Sequence, residues 1–225
     1  MKDYAYTKSV SDEFIGILHD IYGFFIDTTQ GYSIYLKQLQ SQQELAAKKY
    51  NTTVAKLDVA TMTYANGAPT DPEAIILHEC TQKEIKERNI KNGRNTNYVS
   101  KFSTAMIYEY WENQYRGLFA DAVGIKKSDL KSDIFGDIRL IRNDILHCRG
   151  KASDKNCGKA KILKWFKEGD TVYITERMFE EIIVEIFKYI NTLFSSYYQK
   201  DAYPDHSLSL KGRERHRNTK HTIKR

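Results

Sequence analysis

The chain has 225 residues, 41% hydrophobic, 28% charged and only 3 prolines, which is long enough to bury one core and too short to demand two. No apolar run could span a bilayer, Lys2, Asp3 and Lys8 open a segment unlike a signal peptide, and Cys80, Cys148 and Cys157 lack the spacing of a disulfide framework, so the composition speaks against a membrane or disulfide-stapled secreted protein and for a soluble cytoplasmic one. The net charge of +6 is concentrated: residues 211–225 hold seven Lys or Arg against the single Glu214, and the rest of the chain is neutral.

In chain order, Ser11-Asp12-Glu13 offers a helix start, and Phe14, Ile17, Leu18, Ile21 and Phe25 follow at helical spacing. The helix is expected to continue, bent near Gly31-Tyr32, through Tyr35, Leu36 and Leu39 into the polar run Gln40 to Lys49. Asn51 to Pro72, with Asn66-Gly67 and Asp71-Pro72, reads as the main loop. Asp71-Pro72-Glu73 then combines an N-cap residue, a proline and a first-turn acid, which predicts a helix carrying Ile75, Ile76, Leu77 and Ile85 that ends at Asn92-Gly93. A ring-rich core helix is expected over about Asn97 to Ala122, closed by Gly124.

Ser128-Asp129 is expected to start the next helix, which should stop near Gly150. Lys151 to Gly158 reads as a loop, Ile162 to Phe166 as a short apolar helix or turn, and Gly169 to Ile174 as briefly extended. A last helix follows from Thr175 to about Tyr197, with Phe179, Ile183, Ile186, Ile190 and Leu193 on its buried stripe. Tyr203-Pro204-Asp205 marks the end of a single helical domain of about 200 residues, after which 201–225 reads as a basic, flexible tail.

The segment Arg142 to Gly150, RNDILHCRG, is the most suggestive in chemical terms. At about 100° per residue, Ile134, Ile138, Ile141 and Ile145 fall on one helix face and Gly136, Arg139, Asn143 and His147 on the other, with Arg142 at the edge. An imidazole exchanges protons near neutral pH, an amide one turn away can orient it, and a guanidinium grips phosphate as a fork. The spacing alone leaves two readings open: an anion-handling site, or an amphipathic helix whose solvated face carries these residues.

Arg142-Asn143 followed by His147 resembles the Arg-x4-His motif of the HEPN (higher eukaryote and prokaryote nucleotide-binding) families. The resemblance covers about Tyr98 to Tyr197, supported by Trp111-Glu112 on the preceding helix and Gly169-Asp170 before the last one. It implies an all-α, up-and-down helical bundle, here with an additional long N-terminal helix, that dimerises through the motif helix. The implied activity is that of a metal-independent endoribonuclease, in a toxin or antiviral defence setting with a possible cognate antitoxin or defence-system partner. By that resemblance Arg142 binds the scissile phosphate and stabilises its charge, His147 acts as general acid or base, and Asn143 holds the imidazole or a phosphate oxygen. The nucleophile would be the RNA's own 2′-hydroxyl, the products a cyclic phosphate and a 5′-hydroxyl. A non-catalytic module of the same family, binding a nucleotide, RNA or a partner protein, is the alternative.

Arg139 and Arg149 are either solvated or supplementary phosphate ligands. Glu109, Glu112 and Arg116 form a charged track on the ring-rich helix, where Glu112 and Arg116 are either a surface ion pair or a support that positions Arg142 or Arg149. His78, Cys80, His147, Cys148 and Cys157 have irregular spacings, with no Cys-x2-Cys pair, so no metal site is expected, nor any cofactor, since no glycine-rich phosphate loop occurs. The basic tail would lend salt-dependent RNA affinity or be a solvated terminus.

Overall fold

The structure, a computed structural model, describes residues 3–68, 70–200 and 202–203; the basic tail over 211–225 lies outside the described residues. The chain is mostly helical, but not wholly so. Among the described residues it forms helices α1 (Tyr4–Lys49), α2 (Val54–Asp58), α3 (Gln82–Asn89), α4 (Arg94–Tyr110), α5 (Arg116–Val123), α6 (Asp133–His147), α7 (Asp154–Cys157) and α8 (Glu176–Tyr198), and one antiparallel pair of strands, β1 (Thr61–Ala65) and β2 (Ile76–Thr81). No described helix is long and apolar enough to cross a membrane. Contacts divide the described residues into two compact units, the first within 3–20, 104–173 and 177–203, the second within 21–103 and 174–176.

In the second unit the hairpin corrects the all-α expectation. Thr61 pairs with Thr81 and Tyr64 with His78, with a bulge before Ala65 pairs with Ile76. The β-branched and aromatic residues of these two segments favour a pleated ribbon. Asp71-Pro72 serves a turn and not a helix start: the Asp71 carboxylate accepts from the Glu73 N–H at 2.9 Å, and Asn66 Oδ1 from the Ile75 N–H at 2.7 Å. Helix α3 starts instead at a capping box, in which Thr81 Oγ1 accepts from the Glu84 N–H and the Glu84 carboxylate from the Thr81 N–H. Leu39, Cys80, Ile85 and Met62 pack beneath it. The expected stop at Asn92-Gly93 is present, and a Cβ on Gly93 would approach the Arg88 carbonyl to 2.7 Å, so only glycine fits.

Helix α1 begins earlier than Ser11, because the Asp3 carboxylate caps the Tyr6 N–H at 3.0 Å, and it runs without a break past Gly31. In the first unit, the ring-rich helix is interrupted by a π-helical turn, Trp111–Tyr115, between α4 and α5. Ile107, Trp111, Tyr115 and Phe119, spaced by four, are all essentially buried. In a regular α-helix each such step overshoots by about 40°, so the row would drift by about 120°; the wider turn absorbs part of that drift. Phe14 meets Trp111, Tyr115, Phe119 and Phe135 with ring centroids 4.7–6.3 Å apart. Gly124 ends α5 in a left-handed conformation, as the sequence suggested, and α8 buries Phe179, Ile183, Ile186, Ile190 and Leu193.

Between α6 and α8 the sequence was less explicit. Helix α6 starts at Ser132, whose Oγ accepts from the Phe135 N–H, one turn later than Ser128-Asp129. Part of the expected loop over 151–158 coils into α7, whereas Ile162 to Phe166 has no helix. Lys151 pairs with Thr171 in a single antiparallel bridge, and the Ala152, Gly169 and Val172 N–H groups close hydrogen bonds of 2.8–2.9 Å around it.

Candidate functional site

Helix α6 has two chemically different faces. On the buried side Ile134, Phe135, Ile138 and Ile141 enter the core, accompanied by two buried acids, Asp137 and Asp144. The Asp137 carboxylate accepts from three successive backbone N–H groups, of Lys161, Ile162 and Leu163, at 2.6–3.0 Å. Asp144 accepts from Ser153 Oγ at 2.8 Å and Asn156 Nδ2 at 2.6 Å. Together these acids fasten the segment after α6 onto its buried face, satisfying N–H groups that have no ladder of their own. Neither acid stood out in the sequence; the signal was a charged residue in phase with Ile134 and Ile141, seven residues apart.

The other face carries Arg139, Arg142, Asn143 and His147. Arg142 Nη1 lies 3.3 Å from Asn143 Oδ1, to which it donates, and 3.5 Å from His147 Nε2. A guanidinium offers only donors, so in a hydrogen bond along this approach His147 Nε2 is the acceptor. Arg142 Nη2 donates to Glu109 Oε1 at 2.8 Å, and the guanidinium lies 5.9 Å from the centroid of the Tyr108 ring. Its Nε is buried without a hydrogen-bond partner. Three of the residues singled out by spacing are thus brought together at the C-terminal end of α6, where His147 is exposed and Arg142 and Asn143 half-buried.

The remaining candidates are placed apart from that cluster. Glu112 pairs with Arg116 at 3.0 Å and with Lys127 at 3.2 Å, while Arg116 Nε donates to the Leu130 carbonyl at 3.1 Å. Partial burial pushes the Glu112 carboxyl up, but hydrogen bonds from Arg116 and Lys127 outweigh it and hold the group below its ordinary range. The acid that touches Arg142 is therefore Glu109, not Glu112. Arg149 lies just beyond the helix in a left-handed conformation, φ 55°, exposed to solvent, a conformation that costs a residue with a Cβ about 1–2 kcal/mol.

Arg139, one turn before Asn143, is exposed and forms part of a cavity of about 300 Å³. The cavity's apolar wall is built from Trp111 and Phe135, stacked at 3.9 Å between centroids, and its polar wall from Tyr108, Glu112 and Arg139. The π-helical turn supplies two of these, Trp111 and Glu112, in keeping with the frequent occurrence of such turns at functional sites. Tyr108 is common to both places, lining the cavity and lying beside the Arg142 guanidinium. Among the described residues no three His, Cys, Asp or Glu side chains gather in a way that could hold a metal ion. His78 Nε2 instead lies 2.7 Å from Arg88 Nη1, and Cys80 is packed in the core of its unit.

No family model, no curated protein and no solved structure matches this chain.

Proposed function

We propose that the protein is a metal-independent endoribonuclease of the HEPN type, with Arg142 and His147 as its catalytic pair. The observation that carries the reading is the 3.5 Å approach of Arg142 Nη1 to His147 Nε2 at the end of a helix N-capped by Ser132. In the proposed reaction His147 Nε2 takes the proton of the RNA 2′-hydroxyl. The freed oxygen attacks the adjacent phosphorus, and the bond to the 5′-oxygen breaks, leaving a 2′,3′-cyclic phosphate and a 5′-hydroxyl. Arg142 grips the non-bridging oxygens as their charge develops, exchanging its half-exposed partner Glu109 for the phosphate. Asn143 steadies the guanidinium, and Arg139 and Arg149 extend the cationic surface along the strand.

One imidazole cannot serve as base and acid in the same step, and the leaving 5′-oxygen needs a proton. A homodimer with its two-fold axis beside α6 would supply the second His147 and Arg142 in a shared cleft, which fits the bundle that the motif resemblance implies. The same resemblance points to a cytoplasmic toxin or antiviral defence effector, held in check by a cognate partner, with the basic tail adding affinity for RNA. The Glu109 ion pair gives some weight to a second reading, a non-catalytic module of that family which binds nucleotide, RNA or protein, because it already occupies one edge of Arg142. Incubation of the purified chain with total RNA in EDTA decides between them: cleavage to 2′,3′-cyclic phosphate ends is expected, and intact RNA, or cleavage only with a divalent ion, refutes the nuclease reading.

A further inference from the structure

The cavity beside Arg139 has the features of a base-binding pocket. Its volume of about 300 Å³ lies at the lower end of the range for small-molecule sites, enough for one heterocycle and too small for two. Trp111 and Phe135 give it a buried apolar wall and Tyr108 a half-buried ring. Gly136 opens toward unfilled space, since a Cβ built there meets nothing within 4 Å. At the polar wall, Glu112 is clamped by Arg116 and Lys127: Oε1 meets both, and Oε2, which meets Arg116 alone, keeps a free lone pair. Arg139 makes no ion pair among the described residues. It stands on α6 one turn, about 5.4 Å, from the Arg142 and Asn143 pair.

We infer that this cavity is the subsite for a guanine base of the RNA substrate, with Glu112 accepting from the base and Arg139 holding its phosphate. Guanine presents two adjacent donors, N1–H and N2–H2, which the carboxylate can accept together when the exposed Lys127 yields Oε1 to the base and keeps its bond to the Glu112 carbonyl. Adenine, cytosine and uracil each set an acceptor where the second donor would have to be. The inference rests on the ribonuclease reading for its substrate, yet the pocket can be tested without any turnover.

The test titrates the full chain with guanosine 5′-monophosphate by calorimetry, with the adenosine, cytidine and uridine monophosphates and inorganic phosphate as parallel arms. The guanine nucleotide is expected to bind at least about tenfold more tightly than the others, the discrimination that a paired hydrogen bond to a base edge supports. Gly136→Leu should abolish that preference, because the new side chain fills the cavity; leucine is also the better helix former, so helicity and melting temperature report that the variant is folded. His147→Ala should bind the nucleotide like the parent chain. In RNA of defined sequence, cleavage should fall beside guanosine in the parent and lose that bias in Glu112→Gln.

Guanosine monophosphate binding no better than phosphate does, binding that survives Gly136→Leu, or cleavage indifferent to guanosine would each overturn the assignment while leaving the nuclease reading in place. A guanine-selective pocket in a chain that cleaves no RNA would do the reverse, upholding the base site and removing the nuclease.

Discussion

Asp137 and Arg142 are five residues apart on α6, and their surroundings are opposite. The Asp137 carboxylate is buried and takes N–H donors from three consecutive residues. The Arg142 guanidinium is partly exposed, pairs through Nη2 with the exposed Glu109 at 2.8 Å, meets Asn143 and His147 through Nη1 only at 3.3–3.5 Å, and has no hydrogen-bond partner at Nε. A saturated charge fixes structure, because any change in its partners costs desolvation that nothing returns. An undersaturated one keeps donors available for a ligand that arrives later. The one helix thus anchors the chain through its buried face and carries Arg142, Asn143 and His147, the proposed site, on the other.

The sharpest way to break this comparison is on the exposed face. His147→Ala should lower RNA cleavage by a factor of about 10²–10⁴, the usual contribution of a general acid or base, and Arg142→Lys should be severely impaired, because a point charge does not replace the fork. Stability should move by no more than about 0.5 kcal/mol in His147→Ala. Rates close to the parent's, measured at saturating RNA, would take the altered residue out of the chemistry.

On the buried face the expectation is inverted. Asp137→Ala strands three backbone donors and should cost about 3–5 kcal/mol in urea unfolding. The amides of Lys161, Ile162 and Leu163 should also exchange slowly with deuterium in the parent chain, although they lie in neither helix nor strand. Rapid exchange at those three positions, or a stability loss below about 1 kcal/mol, would show that the carboxylate is not an anchor.

The mildest test sits between the two faces. Glu109→Gln removes the charge that competes for Arg142 in a pair that is half-exposed, where such pairs are worth about 0.2–1 kcal/mol. RNA should then bind a few-fold more tightly with little change in melting temperature. If cleavage instead falls tenfold or more, Glu109 positions Arg142 and does not compete with the phosphate.

What could be read from the sequence followed the strength of local signals. Ile134, Ile138 and Ile141 of α6, the helix end at Gly124, the Asn92-Gly93 stop and the stripe of α8 each have a regular period or a strong stop residue, and all appear in the structure. The hairpin was obscured because Asp71-Pro72-Glu73 satisfies the rules for a helix start equally well, and only pairing with the distant Thr61 to Ala65 segment decides the outcome. At the candidate site, Arg142, Asn143 and His147 were legible because they share one helix. Glu109, 33 residues before Arg142, stood in the charged track but could not be told from Glu112 until the helices were packed. Asp137 and Asp144 were hidden by their type, since a carboxylate in an apolar stripe makes sense only once the N–H groups that meet it are known.

The π-helical turn is the place beside the site where a change of one residue in chain length can be absorbed. Residues before it, including Tyr108 and Glu109, and residues after it, including Arg116, are phased by separate stretches of α-helix joined through one wide turn. Removing a single exposed residue there, Asn113 or Gln114, touches no core side chain and brings Ile107, Trp111, Tyr115 and Phe119 to spacings of four, three and four, which a regular α-helix keeps on one face. Glu112 and Arg116 would then stand three residues apart, a spacing that still pairs on a helix. In any lineage of this protein the segment should therefore tolerate the loss of one residue at the wide turn, whereas a deletion inside α4 or α5, with nothing to absorb it, would rotate one stretch against the other by about 100°.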